Sequence, residues 1–454
     1  MRCAVGQVTI DILPDDVLLD IFDTYGGGHD HFLIWRWKSL VHVCRRWRRI
    51  VFASPRRLRL VLECGSRTSV SKLLDTWPSL PITIRFSPLD AVPWVEDIIT
   101  KLELRDRITG ITLDKLRVLE NLERFTTTPF PALTRVVLAS NHPYPPTLIF
   151  PDAFLGGSAP QLRSFTLYNI TLVELPKIVL SATRLVKLSL LELCLSVTRS
   201  YAGPEMMVTY LAALPTLEEF SVGFTWTPDS NPDLINLPHR TRVILPALTH
   251  FHFDGANDYL EDFVSRIDAP LLNALNIVFF LHHTLHIQQL YGLISRAESF
   301  KPLKKAYICF RPIDTSCMRI GPRLPIRFLL GVRGHGSTWA IELMAQLCKD
   351  LSPHFSHVEQ LKILGNMVFP SALPGDDTKR AHWLKLFHSF PAVRSLFVSE
   401  GFAQRVAPVL QPTRSGEMST DVFPALRDLV LVGFQLSGPF QEAPTHLSAS
   451  LLRY

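Results

Sequence analysis

Apolar positions recur with two different periods along the chain. In the first sixty residues the period is helical. Ile12-Leu13-Pro14-Asp15-Asp16 reads as a helix start. Pro14 suits the first helical position, where its missing N–H costs nothing, and Asp15 and Asp16 favour the positive end of the helix dipole. Leu18, Ile21, Phe22 and Tyr25 follow at i, i+3, i+4 and i+7, one apolar stripe. Gly26-Gly27-Gly28 ends it. A second helix is expected over 35–53, with the stripe Leu40, Val43, Cys44, Trp47 and Val51 and with Arg45, Arg46, Arg48 and Arg49 largely on the other face; Ser54-Pro55 closes it.

From about residue 105 the period changes to two. A short unit recurs, often Pro, then Leu-x-x-apolar-x-apolar. Clear copies start at Leu133, Leu162, Leu185, Leu217, Leu248 and Leu272, and later ones at Leu303, Val358, Val393 and Leu426. Residues 108–113 and 122–127 read as degenerate early copies, and one repeat between Leu303 and Val358 is hidden, around Ile326 to Leu330. From Leu162 to Leu303 the steps average about 28 residues, within the roughly 20–29 of a leucine-rich repeat. Each copy alternates as a half-buried strand does. Helical stretches lie between copies, at 204–214, 259–267, 286–297 and 338–351. Strand then helix, repeated, predicts parallel strands whose apolar edges are buried against neighbouring repeats. The asparagine that often follows such a strand occurs as Asn141.

Composition supports a folded chain. Of 454 residues, 47% are hydrophobic and 19% charged, which supplies a large core and excludes overall disorder. The longest apolar run, Leu271 to Leu281, is shorter than a membrane span and holds Asn273 and Asn276. The N-terminus lacks the apolar core of a signal peptide. The 7 cysteines are widely spaced with no C-x-x-C, so neither a disulfide scaffold nor a thiolate zinc site is expected; Cys44, Cys194 and Cys348 sit in apolar patterns. A reducing compartment follows, cytoplasmic or nuclear.

Charge is uneven. The net is +6, but 36–59 holds nine basic residues and no acidic one, so the remainder sums to −3. This segment could contact phosphates. The favoured reading is a solvated helix face meeting an acidic partner.

The N-terminal pattern resembles the F-box family. The matching pieces are Leu13-Pro14, then Leu18, Ile21 and Phe22, then 40–47, which reads as the family's V-C-x-x-W signature at Val43, Cys44 and Trp47. The likeness covers roughly residues 10 to 55; the segment 24–34 is longer and more polar than the family's usual turn. The later repeats resemble the leucine-rich repeats that accompany many F-boxes. The expected architecture is therefore α/β: an F-box at 8–60, a linker and capping segment at 61–104, and a repeat solenoid with a curved parallel sheet and outer helices at 105–454. The resemblance implies docking on the Skp-type adaptor of a cullin–RING ubiquitin ligase through Leu13, Pro14, Leu18, Ile21, Phe22, Val43, Cys44 and Trp47. The repeats would then hold a target protein for ubiquitin transfer by other subunits. A nucleic-acid-associated protein using 36–59 is the alternative.

No catalytic constellation is found, and neither cofactor nor metal is expected. His250 and His252 share a strand face, and His282, His283 and His286 cluster, but neither set has a carboxylate or cysteine at ligand spacing. Gly331 to Gly336 lacks the order of a phosphate cradle and reads as a loop. Glu218-Glu219 has no partner acid or base in sequence, and no G-x-S-x-G elbow occurs. Within each repeat strand the positions flanking the buried ones should face the target. They run from Arg135 and Val137 through Lys187, Glu219, His250, Asn276, Lys305 and Lys362 to Asp428 and Val430. Of these rows, His250, Tyr307 and Phe397 are the target-binding candidates, the two aromatics because exposed rings are over-represented at hot spots.

Overall fold

The fold is seen in a computed structural model, which describes residues 10–26, 36–53, 60–64, 81–86, 106–113, 129–140, 142, 147–172, 174–193, 203–225, 242–280, 285–311, 327–333, 338–365, 377–410 and 422–432. The chain is α/β, with parallel strands and helices, and divides into two compact units. One comprises 1–141 and 151–162, the other 142–150 and 163–454.

The first unit begins with three helices, α1 (Asp15–Gly26), α2 (Arg36–Val43) and α3 (Arg45–Ala53). The single helix expected over 35–53 is broken at Cys44. There the thiol takes the place of an N-cap oxygen: Cys44 Sγ accepts the Trp47 N–H at 3.4 Å. Arg48 Nε donates to the Val41 carbonyl at 3.0 Å, satisfying an acceptor that the end of α2 leaves open. Leu18, Phe22, Leu40, Val41, Ile50 and Val51 form the buried core. Trp47 lies tilted on Phe22, ring centroids 4.7 Å apart.

Four parallel strands follow in sequential order, β1 (Leu60–Cys64), β2 (Ile82–Phe86), β3 (Ile108–Leu113) and β4 (Arg135–Ala139). The segment expected to link and cap thus carries two strands in the same ladder as β3, the first degenerate copy. Thr134 Oγ1 donates to the Thr109 carbonyl at 2.9 Å and Thr109 Oγ1 to the Ile82 carbonyl at 3.3 Å, so hydroxyls join successive strands where they start. The proposed copy at 122–127, Asn141, Cys194 and the pair His282 and His283 lie outside the described residues.

The second unit holds ten strands of the repeat: β5 (Ser164–Tyr168), β6 (Lys187–Leu193), β7 (Glu219–Phe224), β8 (His250–Gly255), β9 (Ala274–Phe280), β10 (Lys305–Arg311), β11 (Phe328–Arg333), β12 (Gln360–Gly365), β13 (Ser395–Ser399) and β14 (Asp428–Val432). Helices stand between them: α4 (Pro204–Ala212), α5 (Asn257–Ser265), α6 (Gln288–Arg296) and α7 (Thr338–Asp350) where the sequence places them, and α8 (Asp377–His388) and α9 (Glu400–Leu410) beyond the four expected stretches.

Four of the copies enter their strands through the same proline turn. The N–H groups of Leu162, Leu217, Leu248 and Leu272 donate to the carbonyls of Ala159, Leu214, Leu245 and Ala269, at 2.9, 3.2, 3.3 and 3.1 Å. Pro160, Pro215, Pro246 and Pro270 occupy the second turn position, where the fixed φ of proline is already correct. The turn closes with its leucine pressed inward, at most 2% exposed in these copies. The carbonyl just before each strand then accepts two successive N–H groups of the next copy. Arg163 serves Val186 and Lys187, Val186 serves Glu218 and Glu219, and Glu218 serves Thr249 and His250.

The strand order is β5-β6-β7-β8-β9-β11-β10-β12-β13-β14. The hidden repeat is therefore real, as β11, but it is inserted between β9 and β10 and not after β10. The backbone shows the step: Leu275 N–H donates to the Arg327 carbonyl, while the Lys304 carbonyl skips to Glu359 and Gln360. Gly331, Val332 and Arg333, expected in a loop, lie in this strand. A Cβ at Gly331 would stand 3.1 Å from both the Cys309 carbonyl oxygen and Val278 Cγ2, so only glycine fits without displacement between β9 and β10.

One sheet face packs on the helices. Phe220 and Phe251 stack at 5.8 Å and both meet Phe263 of α5; Phe310 meets Trp383 of α8 and Phe402 of α9. The alternate side chains line the opposite face.

Candidate functional site

In the helical part of the first unit, Arg46 joins the segment before α1 to α3. Its Nη2 donates to the Leu13 carbonyl at 2.6 Å, and its Nε and Nη2 reach Asp15 Oδ1 at 3.0 and 2.6 Å. The segment Leu13-Pro14 is thereby held beside α3, 33 residues on in sequence. The expected adaptor residues divide into two groups. Leu18 and Phe22 are buried, so they build the core and offer no surface; Leu13, Cys44 and Trp47 are half-buried. Pro14, Ile21 and Val43 are exposed, Val43 at 58%. Three further exposed apolar side chains, Ile10, Ile12 and Val17, fall outside the expected set. Val17 is legible in the sequence: with Pro14 and Ile21 it stands at i, i+3 and i+7, along the edge of the stripe that buries Leu18 and Phe22. Of the arginines, Arg46 and Arg48 are engaged by Asp15 and by the Val41 carbonyl, which reduces what this helix could give to phosphates.

In the second unit the outward rows are in register as alternation predicts. One row runs Ser164, Lys187, Glu219, His250, Ala274, and, beyond β11, Lys305, Gln360, Ser395 and Asp428. The next runs Thr166, Ser189, Ser221, His252, Asn276, Leu329, Tyr307, Lys362, Phe397 and Val430. Carboxylates stand toward the two sides. Glu219 is paired with Lys187, and Asp428 accepts a hydrogen bond from Ser395 Oγ at 3.0 Å.

His250 is exposed, its Nδ1 2.8 Å from Thr249 Oγ1. Phe397 is half-buried. Tyr307 is not the exposed ring expected of a hot-spot anchor: it is 7% exposed, packed with Val278, Cys309 and Leu329. One of these neighbours, Leu329, belongs to the out-of-order β11, which no local pattern announces. Burial also raises the Tyr307 hydroxyl above its ordinary pKa. Lys362 covers the cluster, its ammonium 5.4 Å from the Tyr307 ring centroid and 4.7 Å from that of Phe397. Burial, and then Lys305, lower the Lys362 pKa.

Among the described residues no group of histidines, cysteines and carboxylates could hold a metal ion, and no helix is long and apolar enough to cross a membrane. His286 lies exposed, and its backbone is tied to the Asn257 side chain. Cys348 is fully buried and its pKa is raised by that burial, so it behaves as an apolar side chain. The sequence matches no known family model and no curated protein.

Proposed function

We propose that the chain is the substrate-recognition subunit of a Skp–cullin–F-box type ubiquitin ligase. The helical segment α1–α3 would dock on the Skp-type adaptor, and the outward face of the repeat sheet would hold a target protein. The chain itself performs no bond chemistry in this reading, needs no cofactor, and acts in the cytoplasm or nucleus. The observation that carries the proposal is the Arg46 junction, which holds the Leu-Pro segment against the V-C-x-x-W segment while Pro14, Val17, Ile21 and Val43 remain exposed around it. Apolar side chains left in solvent on short helices are what a partner groove receives. The repeats supply the second half of such a receptor, a long row of varied polar side chains on a rigid sheet.

The test uses exposed positions, so that folding is not disturbed. Ile21→Asp combined with Val43→Asp should abolish capture of a purified Skp-type adaptor. Hot-spot anchors are worth roughly 2 kcal/mol each, so the pair together should lower affinity about a thousandfold. A folded double variant that captures adaptor as the unaltered chain does would overturn the assignment.

A further inference from the structure

We infer that the sheet face from β8 to β13 binds an extended acidic peptide segment. The inference deepens the reading of that face as the target surface and rests on it.

Three cations stand on neighbouring strands. Lys305 is on β10, Lys362 on β12, and Arg327 lies two positions before Leu329 at the start of β11. The strand spacing of about 4.8 Å and the rise of about 3.3 Å per residue put their backbone positions within roughly 12 Å of one another. Lys305 and Arg327 are exposed and Lys362 is half-buried, and none of the three has an ion-pair partner among the described residues. The nearby Glu359 is drawn to Arg394 at 3.8 Å. Across the six strands β8, β9, β11, β10, β12 and β13 the two outward rows contain no carboxylate. Their other members are His250, His252, Asn276, Gln360 and Ser395, which can hydrogen-bond, and Ala274, Leu329, Tyr307 and Phe397, which cannot bear charge at neutral pH. Burial lowers the Lys362 pKa, and the charge of Lys305 lowers it further, so only that second contribution comes from the positive cluster. An incoming carboxylate relieves it.

The dimensions suit a peptide. Six strands span about 24 Å, the length of roughly seven extended residues. Acidic side chains at alternate positions would meet the central cations, with hydroxyl, amide and imidazole groups toward either end. Nucleic acid fits less well. Three cations release few counterions, and the two aromatic rings lie under Lys362, where they cannot serve as platforms for bases.

The experiment titrates the full chain at low salt with a fluorescently labelled peptide of ten glutamates, a peptide of ten lysines and a single-stranded RNA of ten uridines, followed by anisotropy. Glutamate peptide should bind, weaken as salt rises, and bind at least tenfold more weakly to Lys305→Ser/Arg327→Ser/Lys362→Met, in which methionine keeps the cover over the rings. The exposed helix variant Lys385→Ser should bind as the unaltered chain does. Absence of glutamate binding, equal binding by the triple variant, or tighter binding of RNA that the triple variant loses would each overturn the inference. Adaptor capture, read separately, should be unchanged in the triple variant. Its failure in the unaltered chain counts against the ligase reading and leaves the peptide result standing.

Discussion

Glu261 shows how one side chain completes a helix that its own sequence leaves unfinished. Ile287 precedes α6 and cannot cap it. The carboxylate of Glu261, from α5, accepts instead the N–H groups of Gln289 and Leu290 at 2.7 and 2.9 Å, two of the donors that every helix start leaves open. Burial raises the Glu261 pKa more than these bonds and His286 lower it, and Asp258 raises it further. The folded state therefore binds the proton more tightly than the unfolded one. Stability contributed by the group is full below the ordinary carboxylate pKa and falls as pH rises through the raised value. Glu261→Gln should flatten this loss in denaturant titrations run upward from the ordinary carboxylate pKa, and should cost roughly 1 kcal/mol because an amide offers one acceptor where the carboxylate offers two. A variant retaining the full slope would assign the pH dependence to another group.

At the scale of the element, the repeat is a proline turn, a buried leucine and a strand. Leu248 is 0% exposed and Pro246 is exposed on the same turn. Leu248→Ala should cost about 2–5 kcal/mol, the range for a truncated core leucine. Pro246→Ala should cost only about 0.4–1 kcal/mol, through the freedom it returns to the unfolded chain. Equal losses, measured by thermal unfolding, would mean that the turn and not the core holds the repeat. These elements are legible in the residues themselves, because turn chemistry and alternation are local. The break at Cys44 is not legible there: an unbroken apolar stripe gives no sign that a thiol will cap a new helix.

At the scale of the whole molecule, one pair records the strand order. Arg333 of β11 and Asp254 of β8 are both buried and meet at 3.4 Å, although 79 residues separate them and β9 lies between their strands. Removing one partner takes this counter-charge from a buried ion, so Asp254→Leu should cost about 3–5 kcal/mol. Asp254→Leu with Arg333→Met should recover most of that loss, since replacing both ions by apolar groups is often near neutral. Purely additive losses in the double variant would show that the two groups are not coupled.

Sequence alone determined the periods, the turns, four of the helices between strands and which side chains share the outward face. All of these follow from backbone geometry within about a dozen residues. It also placed Lys305, Lys362 and Phe397 in outward rows. The tertiary structure alone decided that β11 enters between β9 and β10, that Tyr307 is covered there, and that Leu18 and Phe22 belong to a core while Ile21 and Val43 do not. The physical reason is that a parallel strand offers the same N–H and C=O ladder to any neighbour. Neighbours are chosen by packing between residues far apart in sequence, such as the glycine at 331 that lets three strands close together.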